Sequence, residues 1–347
     1  MHIIEMRETD RDRWDEYVRH SQRAVPQHLS GWQAVMQRTY GYRTRCLMAV
    51  DGNRVEGVLP LFEVRSWLLG RSLNSMPGGV CAECGHVGEM LLAHAKEIAR
   101  ETDSRCVILH DSRRQWLDGF DTTSNHATWI LSMCDGAEAT WRNVPRNVRR
   151  FVRIARENGL IAEVATGVDR LETFYRTFSS FVRQLGTPIF SRAFLRNIAD
   201  AFPGQYSTVC IRKGDQVVGA FFQLLLGDTI YNTWGASLPE YREIGPTYLA
   251  HWELMRFGIE NGYCFLDMGR SPLDSGGFEF KKRWGGQMQM IYQQSYALNG
   301  RRAVMVDPAR QVTTDAKLKM LTRVWSRLPL PVAEALGPQV RRHIPFA

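Results

Sequence analysis

The chain has 347 residues, a length typical of two domains or of one large domain. Its 44% hydrophobic and 23% charged residues are those of a folded globular protein, which argues against disordered, fibrous and collagen-like classes. The net charge of +8 favours anionic partners, such as phosphates, nucleotides, tRNA or a membrane surface, without choosing among them.

The start of the chain, MHIIEMRETDRDRW, becomes acidic and polar at once, which is not typical of a secretory signal. No segment approaches about 18 uninterrupted apolar residues, so we expect no transmembrane helix. The seven cysteines are an odd number, and we expect them to be reduced. These features together predict a cytoplasmic protein.

The sequence contains an internal repeat. Residues 26–57 align without a gap on residues 188–219, with proline at the start and glycine at the end of both segments. A second block, Gly-x-x-x-Leu-Ala-His, begins at Gly88 and again at Gly245. Two blocks in the same order and at nearly equal offset indicate a tandem duplication.

Both copies predict the same order of elements. In the first copy, Ser30-x-x-Gln33 resembles a capping box that starts a helix, and Asp51-Gly52 joins two strands as a hairpin. The second copy has Lys213-Gly214-Asp215 at the equivalent turn. Each copy then predicts a helix followed by a short strand: 88–101 and 105–109 in the first, 246–261 and 263–267 in the second.

The predicted fold class is therefore α+β. We expect two tandem units, each a mixed, mostly antiparallel sheet flanked by helices, followed by a helical C-terminal tail. The predicted domains are 1–136, 137–298 and 299–347, with a mostly helical connection over roughly 137–185.

The second copy carries a candidate phosphate-binding turn. Arg242-x-x-Gly245 opens a helix, where free backbone N–H groups and the positive end of the helix dipole favour an anion. The first copy has Gly85-His86-Val87-Gly88 there and lacks the arginine. This asymmetry indicates one active and one structural copy, although an ordinary strand-to-helix turn is an equal alternative.

The segment 267–285 is the most unusual in the chain. It combines Asp267, a glycine-rich flexible loop and the cations Lys281, Lys282 and Arg283, with aromatic residues on both sides of the cations. Lys281 follows Phe280 and could place a positive charge against a developing oxyanion. The alternative interpretation is a solvated loop with incidental charges.

A third feature is the arginine-rich stretch at 142–156, which predicts an amphipathic helix with Arg149 and Arg153 on its basic side. Such a face could bind phosphates, or it could simply be solvated. Tyr231 and Trp234 could line a pocket or lie in the core. The Cys81-Ala-Glu-Cys84 pair has no second pair to complete a zinc set, and we expect no metal.

The second-copy motifs resemble the FemAB-like branch of the GNAT acyltransferase superfamily over about residues 10–298. The resemblance rests on Arg-x-x-Gly before the helix, on Phe265-Leu-Asp-x-Gly269 and on Phe-Lys-x-x-Trp-Gly from Phe280. The runs Asp267–Ser271 and Phe280–Gly285, with the tail sequence LPLPVAEALGP, look closest to the FemAB-like proteins associated with exosortase/PEP-CTERM and exopolysaccharide loci.

The resemblance implies transfer of an acyl or aminoacyl group to an amine of a cell-envelope or exopolysaccharide precursor, with a sugar or peptide acceptor. The anionic donor would be acyl-CoA or aminoacyl-tRNA, and by motif Phe280 and Lys281 would lie in its channel. The acyl-CoA pyrophosphate loop would fall on Arg242, Gly245 and Thr247, where Thr247 replaces the glycine or alanine usual in the family.

These observations give a candidate site. We expect Lys281 to assist the oxyanion, and Asp267 to orient or deprotonate the amine or, alternatively, to brace the loop through backbone N–H groups. The expected substrate-binding residues are Phe280, Arg270, Ser271, Lys282, Arg149, Arg153, Tyr231, Trp234 and Tyr248.

Two alternatives stay open. The chain could be a non-catalytic assembly factor that docks on a polysaccharide-synthesis complex through its basic face and C-terminal helices, or a tRNA-binding enzyme whose affinity falls steeply with salt. The tail combines apolar residues and arginines and could rest on a membrane surface, although packing on the core is the favoured interpretation; these residues are Trp325, Leu328, Leu330, Val332, Arg341 and Arg342.

Overall fold

The computed structural model describes residues 1–66, 70–298 and 316–343. The chain forms two compact units. Unit 1 comprises Met1–Asn125, Met290–Asp315 and Gly337–Ala347, and unit 2 comprises His126–Gln289 and Ala316–Leu336. The remainder of the predicted tail, 299–315 and 344–347, lies outside the described residues.

The strands, in chain order, are β1 (His2–Glu5), β2 (Arg43–Asp51), β3 (Arg54–Ser66), β4 (Gly70–Ser75), β5 (Cys81–Ala82), β6 (Cys106–Ser112), β7 (Asp121–Ser132), β8 (Leu160–Ala165), β9 (Tyr206–Lys213), β10 (Gln216–Leu226), β11 (Thr229–Ser237), β12 (Phe265–Asp267), β13 (Ser271–Pro272) and β14 (Gln287–Ala297). The α-helices are α1 (Arg11–His20), α2 (Trp32–Tyr40), α3 (Gly85–Glu101), α4 (Ala137–Asn143), α5 (Arg146–Glu157), α6 (Leu171–Gln184), α7 (Arg192–Ala201), α8 (Pro246–Glu260), α9 (Gly276–Lys282), α10 (Ala316–Arg327) and α11 (Leu330–Arg341).

The sheet of unit 1 has the strand order β1-β2-β3-β4-β6-β14, with β5 added to β3. Strands β4 and β6 are parallel, and the other neighbours are antiparallel. Helix α3 covers the sheet because its apolar side chains, including Leu91 and Ala95, are buried against Leu47 and Leu59. The mixed, mostly antiparallel sheet with flanking helices is the arrangement expected for the first copy.

The sheet of unit 2 has the order β8-β9-β10-β11-β12-β7, and β13 pairs with β7. Here β11 and β12 are parallel and the other neighbours along this order are antiparallel. Helices α5 and α8 bury Val148, Val152 and Leu249 in its core. The same order, with a parallel pair at the same place, confirms the predicted α+β fold of two similar units.

Each unit takes its last strand from the segment that follows the other copy in sequence. Strand β7 follows β6 in the chain but pairs with β12 in unit 2, and β14 follows β13 but pairs with β6 in unit 1. The repeat shows where each copy begins in sequence, whereas the choice of sheet for a terminal strand depends on long-range pairing. The predicted domain boundaries after residues 136 and 298 separate the copies along the sequence, and they stay predictions.

The two predicted hairpins are confirmed, with Gly52 at φ 57° and Gly214 at φ 56° in the turns. The predicted capping box at Ser30 is wrong. Helix α2 begins at Trp32, and the Ser30 hydroxyl donates to Asp15 Oδ2 at 3.0 Å. Because Asp15 offers a carboxylate to this serine, Ser30 ties α2 to α1 instead of closing the first turn.

The predicted flexible loop at 267–285 is also partly wrong, because α9 occupies Gly276–Lys282. The Ser275 hydroxyl accepts the Phe278 N–H at 3.1 Å and caps the helix. In the described part of the chain, no helix is both long and apolar enough to cross a membrane.

Candidate active site

Lys281 lies in the last turn of α9 and points back to the end of β12. Its Nζ donates to the carbonyl oxygens of Gly269, at 2.6 Å, and Arg270, at 3.1 Å. Burial lowers the pKa of Lys281 from its ordinary 10.5 to about 8, with Asp267 opposing that change and Arg270 adding to it. An ammonium has three N–H groups, so one is left to reach a reacting oxygen.

Asp267 ends β12 and is 2% exposed. Its Oδ1 accepts the Gly269 N–H at 2.8 Å and the hydroxyl of Thr128 from β7. The carboxylate therefore holds the turn whose carbonyls bind Lys281. Of the two roles expected for Asp267, these contacts support bracing of the loop.

Gly269 is required by the geometry of that turn. Its φ is 76°, a left-handed conformation, and a Cβ at this position would lie 2.3 Å from the Asn232 backbone oxygen. Only glycine meets both conditions without moving β11. The backbone of Gly269 thereby connects Asp267, through its N–H, to Lys281, through its carbonyl.

An aromatic wall lies beside Lys281. Tyr248 from α8 is stacked on Phe151 at 4.6 Å between ring centroids and meets Phe280 edge-on at 4.8 Å. Trp284 stacks on the same tyrosine at 6.2 Å and is buried. Phe280 and Tyr248, both predicted to bind substrate, thus belong to one aromatic wall, of which Tyr248 and Trp284 lie in the core of unit 2 and Phe151 and Phe280 are partly exposed.

The start of α8 lies against the arginine-rich helix α5. Gly245, at φ 74°, is so close to α5 that a Cβ would lie 2.9 Å from the Phe151 backbone oxygen. Arg149 and Arg153 of α5 form no salt bridge with any residue that the structure describes, whereas Arg156 binds Glu253 at 2.7 Å. The buried Arg149 Nε also has no hydrogen-bond partner among those residues.

These arginines and the first turn of α8 form a positively charged area. Arg242 is exposed on the short 3-10 segment that precedes Gly245, and the Thr247 hydroxyl is hydrogen-bonded to Ser237 at 2.8 Å. The 15-residue helix α8 adds the positive end of its dipole. The arrangement can hold an anionic group such as a phosphate.

The remaining predicted residues are placed differently. Trp234 packs among the rings of Phe190, Phe194 and Phe222, in an aromatic cluster that does not include Phe280. Tyr231 lies opposite Asp267 in the parallel register of β11 and β12. Ser271 is buried in β13, and Arg270 and Lys282 are exposed. In the described part of the chain, no cluster of His, Cys, Asp and Glu could hold a metal ion.

A cavity of about 370 Å³ also lies between α6 and α7 in unit 2, lined in part by Leu171, Tyr175 and Leu195. Arg192 at its edge is hydrogen-bonded to Glu172 and Glu334. None of the predicted site residues lines this cavity. We therefore do not assign the reaction proposed below to it.

A buried chain of polar side chains behind the lysine was missed in the sequence. Ser207 donates to Gln223 at 3.1 Å, Gln223 donates to Asn232 at 3.3 Å, and Asn232 lies 3.2 Å from His251 Nε2. The His251 Nδ1–H donates to the Thr247 carbonyl at 2.7 Å, which leaves Nε2 as the acceptor for Asn232.

Burial lowers the pKa of His251 to about 4, so the ring is neutral near pH 7. The repeated Leu-Ala-His block pointed to this position, but its equivalent His94 lies at the surface beside Glu97. Only the three-dimensional structure distinguishes the buried histidine from the exposed one.

Comparison with known proteins agrees with this architecture. Residues 142–282 match the model of the acetyltransferase (GNAT) domain family. The fold is similar to that of FemX, with a TM-score of 0.69 and 17% identity over 86% of this chain and 98% of that one. No protein with a curated description matches the chain in sequence.

Two further solved structures share the fold. One is the C-terminal domain of a putative lysylphosphatidylglycerol synthetase from Agrobacterium fabrum, with a TM-score of 0.55 and 13% identity over 84% of this chain and 92% of that one. The other is a tandem GNAT protein from the clavulanic acid biosynthesis pathway, with a TM-score of 0.51 and 12% identity over 84% and 97%. Residues 142–282 are thus similar to the GNAT acetyltransferase domain, within a fold shared with a tandem GNAT protein, and this similarity supports an acyltransferase.

The first prediction concerns the turn at Gly269. Gly269→Ala and Gly262→Ala both place alanine in a left-handed conformation, but nothing lies within 4 Å of a Cβ at Gly262. Both variants should lose about 1–2 kcal/mol from backbone strain, and Gly269→Ala should lose at least about 1 kcal/mol more from overpacking. Urea unfolding measures the difference, and equal losses would show that the approach to Asn232 is not a constraint.

The second prediction compares the equivalent histidines. His251→Leu removes the acceptor of Asn232 and should lower the free energy of unfolding by about 1–3 kcal/mol, whereas His94→Leu should change it by less than about 0.5 kcal/mol. The pKa of His251 is lowered to about 4 from 6.5, so the unfolded state binds more protons between these values and the wild type loses stability as pH falls through them.

His251→Leu should therefore lose less stability than the wild type between pH 6.5 and 4. Urea unfolding at several pH values measures this change. An unchanged pH dependence, or equal effects of the two histidine substitutions, would contradict the assigned role.

Proposed function

We propose that the chain is an N-acyltransferase that moves an acyl or aminoacyl group from an activated donor to an amine. The observation that carries the proposal is Lys281, held by two backbone carbonyls at the end of β12 within the segment that matches the GNAT domain. A half-buried cation with an N–H group to spare is suited to a reaction that develops negative charge on oxygen.

The proposed reaction requires the protein to align the donor with the amine and to stabilise negative charge on the carbonyl oxygen. The amine nitrogen attacks the donor carbonyl carbon, and a C–N bond forms while the carbonyl oxygen becomes an oxyanion. Collapse of this intermediate breaks the bond to the thiolate of CoA or to the ribose oxygen of tRNA, and the proton lost by the amine balances the leaving group. Lys281 would donate a hydrogen bond to the oxyanion while the intermediate exists and would keep its own proton.

The donor would approach along the partly exposed rings of the aromatic wall, Phe151 and Phe280. Gly245 contacts Phe151, Phe151 stacks on Tyr248, and Tyr248 meets Phe280, the residue before Lys281. This continuous set of contacts joins the positively charged area on α5 and α8 to the lysine. Acyl-CoA and aminoacyl-tRNA both carry phosphates at one end and a reactive carbonyl at the other. The phosphates would lie at the positively charged area and the carbonyl at Lys281.

Asp267 would act as a positioning residue, because its Oδ1 is engaged by Gly269 and Thr128. Arg149 and Arg153, with Arg242, Gly245 and Thr247, would hold donor phosphates. We propose a cell-envelope or exopolysaccharide precursor, with a sugar or peptide carrying the amine, as acceptor. This finer assignment is supported by the resemblance of segments 267–271 and 280–285 to exosortase-associated FemAB-like proteins.

The third prediction tests the donor and the lysine. Acetyl-CoA and charged tRNA are titrated side by side at about 50 and 200 mM salt, where tRNA affinity should fall far more steeply.

The double variant Arg149→Gln/Arg153→Gln should raise the donor Kd at least about tenfold, since two phosphate contacts are lost. Arg156→Gln on the same helix is the control, because that arginine is bound to Glu253.

With the donor that binds, Lys281→Met should lower the rate of acyl transfer by about 100-fold or more while leaving donor Kd unchanged. Lys213→Met, at an exposed hairpin turn, is the control. Full turnover in Lys281→Met would overturn the assignment of the lysine. Failure to bind either donor would instead favour the non-catalytic assembly factor.

A further inference from the structure

Helix α10 of unit 2 presents an apolar surface. Met320, Leu321 and Val324 of α10 are 68%, 63% and 52% exposed, and Val332 and Leu336 of α11 are also exposed. We call the three α10 residues, Met320, Leu321 and Val324, the tail surface. Large apolar side chains this exposed are common singly, but a group on one face of a helix marks an interaction site.

The tail surface is held in a defined place. Arg183 of α6 donates to the carbonyl oxygens of Ser326, at 3.0 Å, and Leu328, at 3.1 Å, and Glu334 accepts from Ser179 at 2.7 Å. Ala333 is 2% exposed. One side of the two helices therefore packs on unit 2, as the favoured interpretation of the sequence expected, and the tail surface lies on the side left over.

Within α10 the exposed residues lie on one face. Met320 and Val324 are one turn apart, and Leu321 is adjacent, so the three cover an arc of about 100°. Arg323 and Arg327 are exposed and continue the same side of the helix. The sequence of α10, AKLKMLTRVWSR, contains four basic residues and no acidic one.

We propose that the tail surface binds the face of an anionic phospholipid membrane, with the apolar side chains at the acyl boundary and Arg323 and Arg327 on lipid phosphates. Apolar residues flanked by cations, without acidic residues, are what such an interface requires. A second copy of the chain would bring the same positive charge and would be repelled. The proposal does not depend on the proposed acyl transfer.

The test is sedimentation of the full-length protein with vesicles. We expect binding to vesicles of 30% phosphatidylglycerol in phosphatidylcholine, weaker binding as salt rises, and little binding to phosphatidylcholine alone. Leu321→Asp/Val324→Asp should abolish binding, and Arg323→Gln/Arg327→Gln should weaken it by about fivefold for each arginine removed. Val168→Asp, at another exposed apolar position of unit 2, is the control.

The urea midpoint of each variant, compared with that of Val168→Asp, shows whether the fold is kept. Absence of binding to the anionic vesicles, equal binding to neutral ones, or unchanged binding by both double variants would overturn the proposal. Self-association through the tail surface, seen as a dimer that Leu321→Asp/Val324→Asp dissolves without any vesicle binding by the wild type, would overturn it too.

Discussion

The candidate site depends on one backbone turn, at Gly269. The left-handed conformation of this glycine brings its N–H to Asp267 and its carbonyl to Lys281, while its missing side chain lets β11 approach. A buried ammonium is unfavourable unless oxygen atoms surround it. The two carbonyls of the turn, with the nearby Asp267 carboxylate, supply those oxygens, so the chemistry of the lysine follows from the geometry of the strand end.

The equivalent position in unit 1 differs from Gly269 in two residues. Continuing the alignment of residues 106–109 on 264–267 by two residues places Asp111 opposite Gly269, and Asp111 also has a left-handed φ, of 49°. Leu109 stands where unit 2 has Asp267. Unit 1 therefore keeps a left-handed residue at this position, inside β6, but lacks the carboxylate that braces the turn in unit 2.

Local features of the fold could be predicted from the sequence. The turns at Gly52 and Gly214 and the helices at the repeated glycines depend on neighbouring residues, so composition and spacing were sufficient. The exchange of β7 and β14 depends on pairing between distant strands, which the repeat does not encode. Ser30 shows the same limit, because a distant carboxylate in sequence, Asp15, takes the hydroxyl that a capping box would have used.

The site could be predicted only in part. Lys281, Phe280 and Asp267 were found because they cluster in an unusual segment, and the structure brings them together around Gly269 and Tyr248. The buried position of His251 could not be found, since the same Gly-x-x-x-Leu-Ala-His block in the first copy leaves His94 half-exposed beside Glu97. Trp234 could be expected either to line a pocket or to lie in the core. It packs in an aromatic cluster, and no sequence pattern distinguishes these two outcomes.

The central claim is that the turn at Gly269 holds the Lys281 side chain in a half-buried position that lowers its pKa. The most direct measurement is an NMR titration of protein labelled at the lysine side chains, with the Lys281 signal assigned by its absence in Lys281→Arg. We expect a midpoint near pH 8, in line with the lowered pKa. Because Asp267 favours the charged form, the midpoint should fall further in Asp267→Asn. A midpoint at the ordinary value of 10.5 would contradict this account.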